Sequence, residues 1–151
     1  MKTFNSVDEI LDFAMQSEQE AVDFYNGLAE KMKNEEMKQV FLQFAREEVG
    51  HKARLRKIKE EGLFDMDMEK VRDLKIADYV VQSGDAAGME YRDALVLAMK
   101  REKAAFRLYT KLSERTDHPE LQKVFQALAV EESKHKLRFE LEYDDYVMRE
   151  N

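Results

Sequence analysis

Cysteine and tryptophan are absent from this 151-residue chain, which also has a single proline and only five glycines. Without cysteine there is no disulfide, no thiolate metal site and no cysteine nucleophile. So few turn residues exclude the frequent punctuation of an all-β fold. With 38% charged and 44% apolar residues, the composition is that of a helical protein. Positive charge is in deficit as well, 25 Lys and Arg against 32 Asp and Glu, a net charge of −7. That balance argues against nucleic acid, and against an anionic membrane surface, as partners. No apolar run reaches membrane-spanning length. The opening "MKTFNSVDEILDFAM" has no uncharged apolar core followed by small residues, so no signal peptide is visible and a cytoplasmic location is expected. The length fits one domain over 1–151.

What is present is helical periodicity. Four amphipathic helices are expected, over 6–32, 35–61, 90–116 and 119–148. Ser6 with Glu9 reads as a capping box at the first start, Gly62 as the stop of the second helix, and Pro119 as the first turn of the fourth. Residues 62–88 are too long for a hairpin turn and read as a partly ordered crossover, with "LKIADYVV" apolar enough to pack. Shifted by 84 residues, the segment Asn5–Leu55 aligns without a gap on Met89–Phe139. Leu11, Ala14, Glu18, Tyr25, Phe41, Glu47, Glu48, His51 and Lys52 are among the residues that recur identically. The chain is therefore a duplicated helical hairpin, and the expected fold is an all-α four-helix bundle of two hairpins joined by the crossover.

Each helix carries an apolar stripe stepping by threes and fours, the pattern of a bundle core. The third, for example, runs Leu95, Met99, Glu102, Phe106, Tyr109, Leu112. Every stripe is interrupted by one glutamate: Glu18, Glu48, Glu102 or Glu132. In the second and fourth helices a histidine follows one turn later, as Glu48-x-x-His51 and Glu132-x-x-His135. An unpaired carboxylate in such a core costs several kcal/mol or takes up a proton. Glu18 and Glu48 each stand about 15 residues from the first turn, hence roughly 22 Å along their helices, and Glu102 and Glu132 bear the same relation to the second turn. If the crossover spans the bundle, all six side chains meet at mid-height. Four carboxylates balance two divalent cations, and the mixed oxygen and nitrogen set suits Fe, Mn or Zn rather than Mg or Ca. Ferritin-like carboxylate proteins use this ligand set: a Glu from each of two helices and Glu-x-x-His from the other two.

Glu18 with Tyr25, Glu48-x-x-His51, Glu102 with Tyr109, and Glu132-x-x-His135 together resemble the rubrerythrin branch of the ferritin-like superfamily, over nearly the whole chain. The resemblance implies a non-haem di-iron centre. Glu18, Glu48, Glu102 and Glu132 would be its carboxylate ligands and His51 and His135 its imidazole ligands, with Mn or Zn as other metals the set admits. It further implies an oxidoreductase reacting with H2O2 or O2, re-reduced by an external electron-donor protein such as a rubredoxin-like protein. Two features differ from the family pattern. Rubrerythrins usually add a Cys-rich rubredoxin-like domain, and these residues contain no cysteine. They also tend to carry a further glutamate one turn after the third-helix ligand, where this chain has Ala105. The remaining six-ligand set is nearer to oxidase and ferroxidase centres, so iron handling without turnover of another substrate stands as the alternative. A bundle whose metals only hold the hairpins together is a third reading.

The residues around the ligands are read more plainly. Tyr25 and Tyr109 fit core tyrosines, with a hydrogen bond to a ligand carboxylate as the sharper alternative. Glu47 and Glu131, one residue off the stripe, read first as solvated flanks, with a role beside the ligands as the alternative. His118 reads as a cap or surface residue. A homodimer is expected from the duplicated hairpin, with hairpins exchanged through 62–88 as one route.

Overall fold

The computed structural model describes residues 3–62, 64–81 and 88–150. Four long helices, α1 (Val7–Lys31), α2 (Glu35–Glu61), α4 (Tyr91–Arg115) and α5 (Pro119–Glu150), nearly coincide with the four expected. A short helix, α3 (Met68–Asp73), and a single 3-10 turn (Ile76–Asp78) occupy the crossover, of which residues 63 and 82–87 lie outside the described residues. Among the described residues there is no strand, only an isolated bridge between Thr3 and Lys75.

The helix ends follow from local chemistry. Ser6 accepts the Glu9 N–H at 3.1 Å, while the Glu9 carboxylate accepts the N–H of Asn5 at 2.9 Å, one residue earlier than in the standard capping box. Asn34 caps α2 by accepting the Met37 N–H at 3.1 Å. Gly62 stops α2 at φ 61°, a left-handed conformation that a side chain would strain, and its N–H returns to the Ile58 and Lys59 carbonyls. His118 is exposed before Pro119, and its carbonyl accepts the first bond of α5 from Gln122 at 2.9 Å.

α1 packs along α2 and α4 along α5, whereas α1 meets α4 at few points. The apolar core falls into two clusters. One gathers Leu11, Leu55, Tyr109, Leu112, Phe125 and the crossover residues Phe64, Met66, Val71, Leu74 and Tyr79. The other is built on Tyr25, Leu28, Phe41, Leu95 and Phe139. Between them lie the buried Glu18, Glu48, His51, Glu102, Glu132 and His135. The described part of the crossover thus packs on the bundle, from Phe64 to Tyr79 against the first cluster and with Val81 against the second, although Val80 is exposed. Phe106 departs from expectation: it is exposed, while its repeat partner Val22 is buried.

Candidate metal centre

All six predicted side chains converge, each no more than 2% exposed. They form two overlapping groups, Glu18–Glu48–His51–Glu132 and Glu48–Glu102–Glu132–His135, in each of which one atom per residue lies within 4.8 Å of all the others. Glu48 and Glu132 belong to both. His51 Nδ1 stands 2.7 Å from Glu132, 3.2 Å from Glu48 and 3.4 Å from Glu18. His135 Nδ1 stands 3.3 Å from Glu48 and 3.6 Å from Glu102. The two imidazoles lie nearly parallel, with centroids 6.3 Å apart, and Phe44 stacks on His135 at 3.9 Å.

The surrounding contacts run between hairpins. The Tyr25 hydroxyl of α1 donates to Glu102 of α4, and Tyr109 of α4 donates to Glu18 of α1 at 2.6 Å. The tyrosines therefore do not serve the glutamate on their own helix. Glu131 is not the solvated flank first expected but takes the alternative place beside the ligands, whereas Glu47 makes no hydrogen bond to the cluster. Glu131 accepts from His51 Nε2 at 3.1 Å and from Arg54 at 3.0 Å, and Glu47 lies 3.5 Å from His135 Nε2. A carboxylate one residue off the stripe is turned by about 100°, far enough to reach the neighbouring hairpin's imidazole from the side. A proton held on Nε2 in this way leaves Nδ1 as the lone-pair nitrogen facing inward.

After these bonds are made, each of the six side chains still has a buried atom without a hydrogen bond: Glu18 Oε2, Glu48 Oε1, Glu102 Oε2, Glu132 Oε1 and both Nδ1 atoms, with His135 Nε2, Glu47 Oε2 and Arg101 Nε also unbonded beside them. A folded protein rarely leaves six polar atoms so. Four carboxylate oxygens and two imidazole nitrogens facing one another are the donor set that two first-row divalent cations satisfy. The residues present fit such a metal pair.

Without metal, the electrostatics are strained. Burial, with the charge of Glu48 next, pushes the Glu18 carboxyl up to about 8, despite the opposing pull of His51. Burial likewise raises Glu102 and Glu132, reinforced by the other carboxylates. Burial also acts against charge on Glu48, but attraction to the His135 and His51 imidazoles, 3.3 and 3.2 Å away, outweighs it and holds that carboxyl well below the usual range. For His51 and His135 burial acts downward, yet the neighbouring carboxylates carry both to about 10. The raised groups favour the folded state below their unfolded values, 4.5 for Glu and 6.5 for His, and lose that contribution as pH climbs through about 8 and then 10. Glu48 has the opposite sign, its contribution being lost on acidification. Metal-free protein should therefore melt at progressively lower temperature between pH 6.5 and 10, while metal-loaded protein should not, because metal binding requires the deprotonated ligands. Parallel melting curves with and without chelator check this; equal slopes would contradict it.

A cavity of about 580 Å³ opens between α1 and α4 and ends on Glu18, Glu48, Glu102, Glu132 and Tyr109. Its walls include Ala14, Ala21, Ala105, Leu108 and Tyr79, with Arg101 and Glu20 among the polar lining. Ala21 and Ala105 are repeat equivalents one turn beyond Glu18 and Glu102, and their small side chains leave this approach to the six-residue cluster open.

The signature of the family described as Rubrerythrin matches residues 9–143. The crystal structure of a Thermotoga maritima protein assigned to the ferritin-like diiron-carboxylate class superposes with a TM-score of 0.77, at 22% identity, over 97% of this chain and 99% of that one. A hypothetical protein from Pyrococcus furiosus superposes with a TM-score of 0.76, at 28% identity, over 92% and 89% of the two chains. No curated protein matches the chain.

Proposed function

The chain belongs to the rubrerythrin family, and from that premise we propose that it is a non-haem di-iron oxidoreductase. Glu18, Glu48, His51, Glu102, Glu132 and His135 would hold two iron ions, with Glu48 and Glu132 common to both. The observation that carries the reading is that every one of these six residues has a buried ligand atom left without a hydrogen bond. When bound, the iron pair would supply one-electron redox chemistry toward H2O2 or O2.

The protein's own residues bind, orient and shield. Tyr25 and Tyr109 each donate to one oxygen of Glu102 and Glu18, leaving the other oxygen free. Glu131 holds the Nε2 proton of His51 and so fixes the tautomer that presents Nδ1. The two apolar clusters above and below the site exclude water along the bundle axis, leaving the α1–α4 cavity as the approach for a small oxidant. No cysteine is available in these residues for a second iron site, so electrons would come from an external donor, for which a rubredoxin-like protein is suited.

Ala105 favours a second reading, ferroxidation for iron handling. It lines the cavity where the family pattern carries a further carboxylate. The readings separate in one experiment: anaerobic loading with ferrous iron, then stopped-flow mixing with O2 and, separately, with H2O2. Much faster oxidation by peroxide supports the peroxidase; rapid oxidation by O2 with release of ferric iron supports iron handling. No optical change with either oxidant sinks both and leaves a structural metal pair, which zinc would fill as well as iron.

A further inference from the structure

The outer face of α5, opposite the metal cluster, carries a second stripe that the bundle does not use. Val130, Leu137, Leu141 and Met148 are each 50–75% exposed. With the exposed Lys134 and Asp144 they form the series Val130, Lys134, Leu137, Leu141, Asp144, Met148, stepping four, three, four, three, four. On an α-helix these six positions lie within an arc of about 80°, and Leu128, His135 and Phe139 point the other way, into the core. Alternating fours and threes are the spacing of a coiled-coil seam. The repeat supplies an internal control. Arg46, Gly50, Ala53, Lys57 and Glu60 occupy the equivalent positions on α2, all exposed and none of them a large apolar residue. The stripe is therefore particular to the second hairpin and is not inherited from the duplication.

The series is also symmetric about position 139. Laid antiparallel on a second copy of itself, it brings Val130 against Met148, Leu137 against Leu141, and Lys134 against Asp144, each pair occurring twice by the two-fold axis. A parallel pairing would instead set Lys134 on Lys134 and Asp144 on Asp144, which like-charge repulsion opposes. Neither Lys134 nor Asp144 has a partner within the chain among the described residues. We propose that α5 is the interface of a homodimer, packed antiparallel through this stripe with Lys134 paired to Asp144 of the second copy. Each chain completes its own six-residue cluster, so this dimer requires no exchange of hairpins.

A helix pair about 27 Å long lies at the small end of specific interfaces, so a dimer that dissociates in the micromolar range is expected. Sedimentation equilibrium reads it directly, since one chain is 17.8 kDa. Lys134→Asp and Asp144→Lys should each weaken association about tenfold or more, because each replaces two opposite-charge pairs by like-charge pairs. The double reversal should restore it. Leu137→Glu with Leu141→Glu should leave a monomer. All four variants change exposed positions, so helicity and metal uptake should stay as in the parent protein, which separates a failure here from a failure of the di-iron reading. In this cysteine-free chain, Lys134→Cys protein mixed with Asp144→Cys protein should cross-link to each other and not to themselves. A mass that stays at one chain throughout the micromolar range overturns the proposal. So does a dimer indifferent to the charge reversals, or one in which Lys134→Cys links to itself.

Discussion

Glu48→Ala should release both metals at once, whereas Glu18→Ala should keep one. Glu48 belongs to both groups of ligand atoms, and Glu18 only to the group that includes His51. Losing Glu48 would therefore remove a candidate ligand from both groups, and also the carboxylate both imidazoles approach, at 3.2 and 3.3 Å. Metal per chain, measured after dialysis against a limiting chelator, should fall from two to none for Glu48→Ala and to about one for Glu18→Ala or His51→Ala. The metal-free proteins should differ in the same sense. Glu48 is the one carboxyl of the four held well below the usual range, the counter-charge to two imidazoliums. Removing it leaves buried cations uncompensated and should cost roughly 3 kcal/mol of unfolding free energy. Retention of two metals by Glu48→Ala would falsify its assignment to both ions.

The sharing of Glu48 and Glu132 between the two groups, against the single membership of Glu18 and Glu102, could not be read from the sequence. Period and repeat identify faces and levels, and the six cluster residues follow from those alone. Partners across the bundle depend on distances between helices, which period does not contain. One of them was nevertheless within reach. Tyr25 stands seven residues from Glu18, about 10 Å along the same helix, too far for a hydrogen bond, so a bonded tyrosine had to serve the other hairpin. For Glu47 and Glu131 the signal was the repeat itself. The exposed neighbours diverged between halves, Arg46 to Val130, Val49 to Ser133 and Gly50 to Lys134, while Glu47 and Glu131 stayed identical. For Glu131 the structure supplies a reason, its bond to His51 Nε2. The stripe on α5 was hidden for another reason. The stronger core stripe of the same helix accounts for most of its apolar residues, and the weaker one emerges only once exposure separates the two faces.

Stripping the metals should lower the melting temperature by about 15–30 °C. The hairpins α1–α2 and α4–α5 pack closely within themselves, but α1 meets α4 at few points, and the level between the two apolar clusters is filled by ionisable groups. Burying those groups without metal costs several kcal/mol, offset only in part by protonation and by the bonds from Tyr25 and Tyr109. Each bound ion, at free metal about a thousandfold above its dissociation constant, contributes about 4 kcal/mol, hence about 8 kcal/mol for two. In a chain of this size each kcal/mol moves the midpoint by about 2–4 °C. A metal pair at this level would tie the hairpins alongside the two apolar clusters as well as react, and the two roles can be told apart by substitution. Zinc should restore the melting temperature nearly as well as ferrous iron, because the tie needs charge and ligand geometry, while only iron should respond to oxidant. Calorimetry of chelated, zinc-loaded and anaerobically iron-loaded protein supplies the measurement. Midpoints within a few degrees of one another would mean that the six side chains hold no metal at useful affinity, and would remove the basis of the di-iron reading.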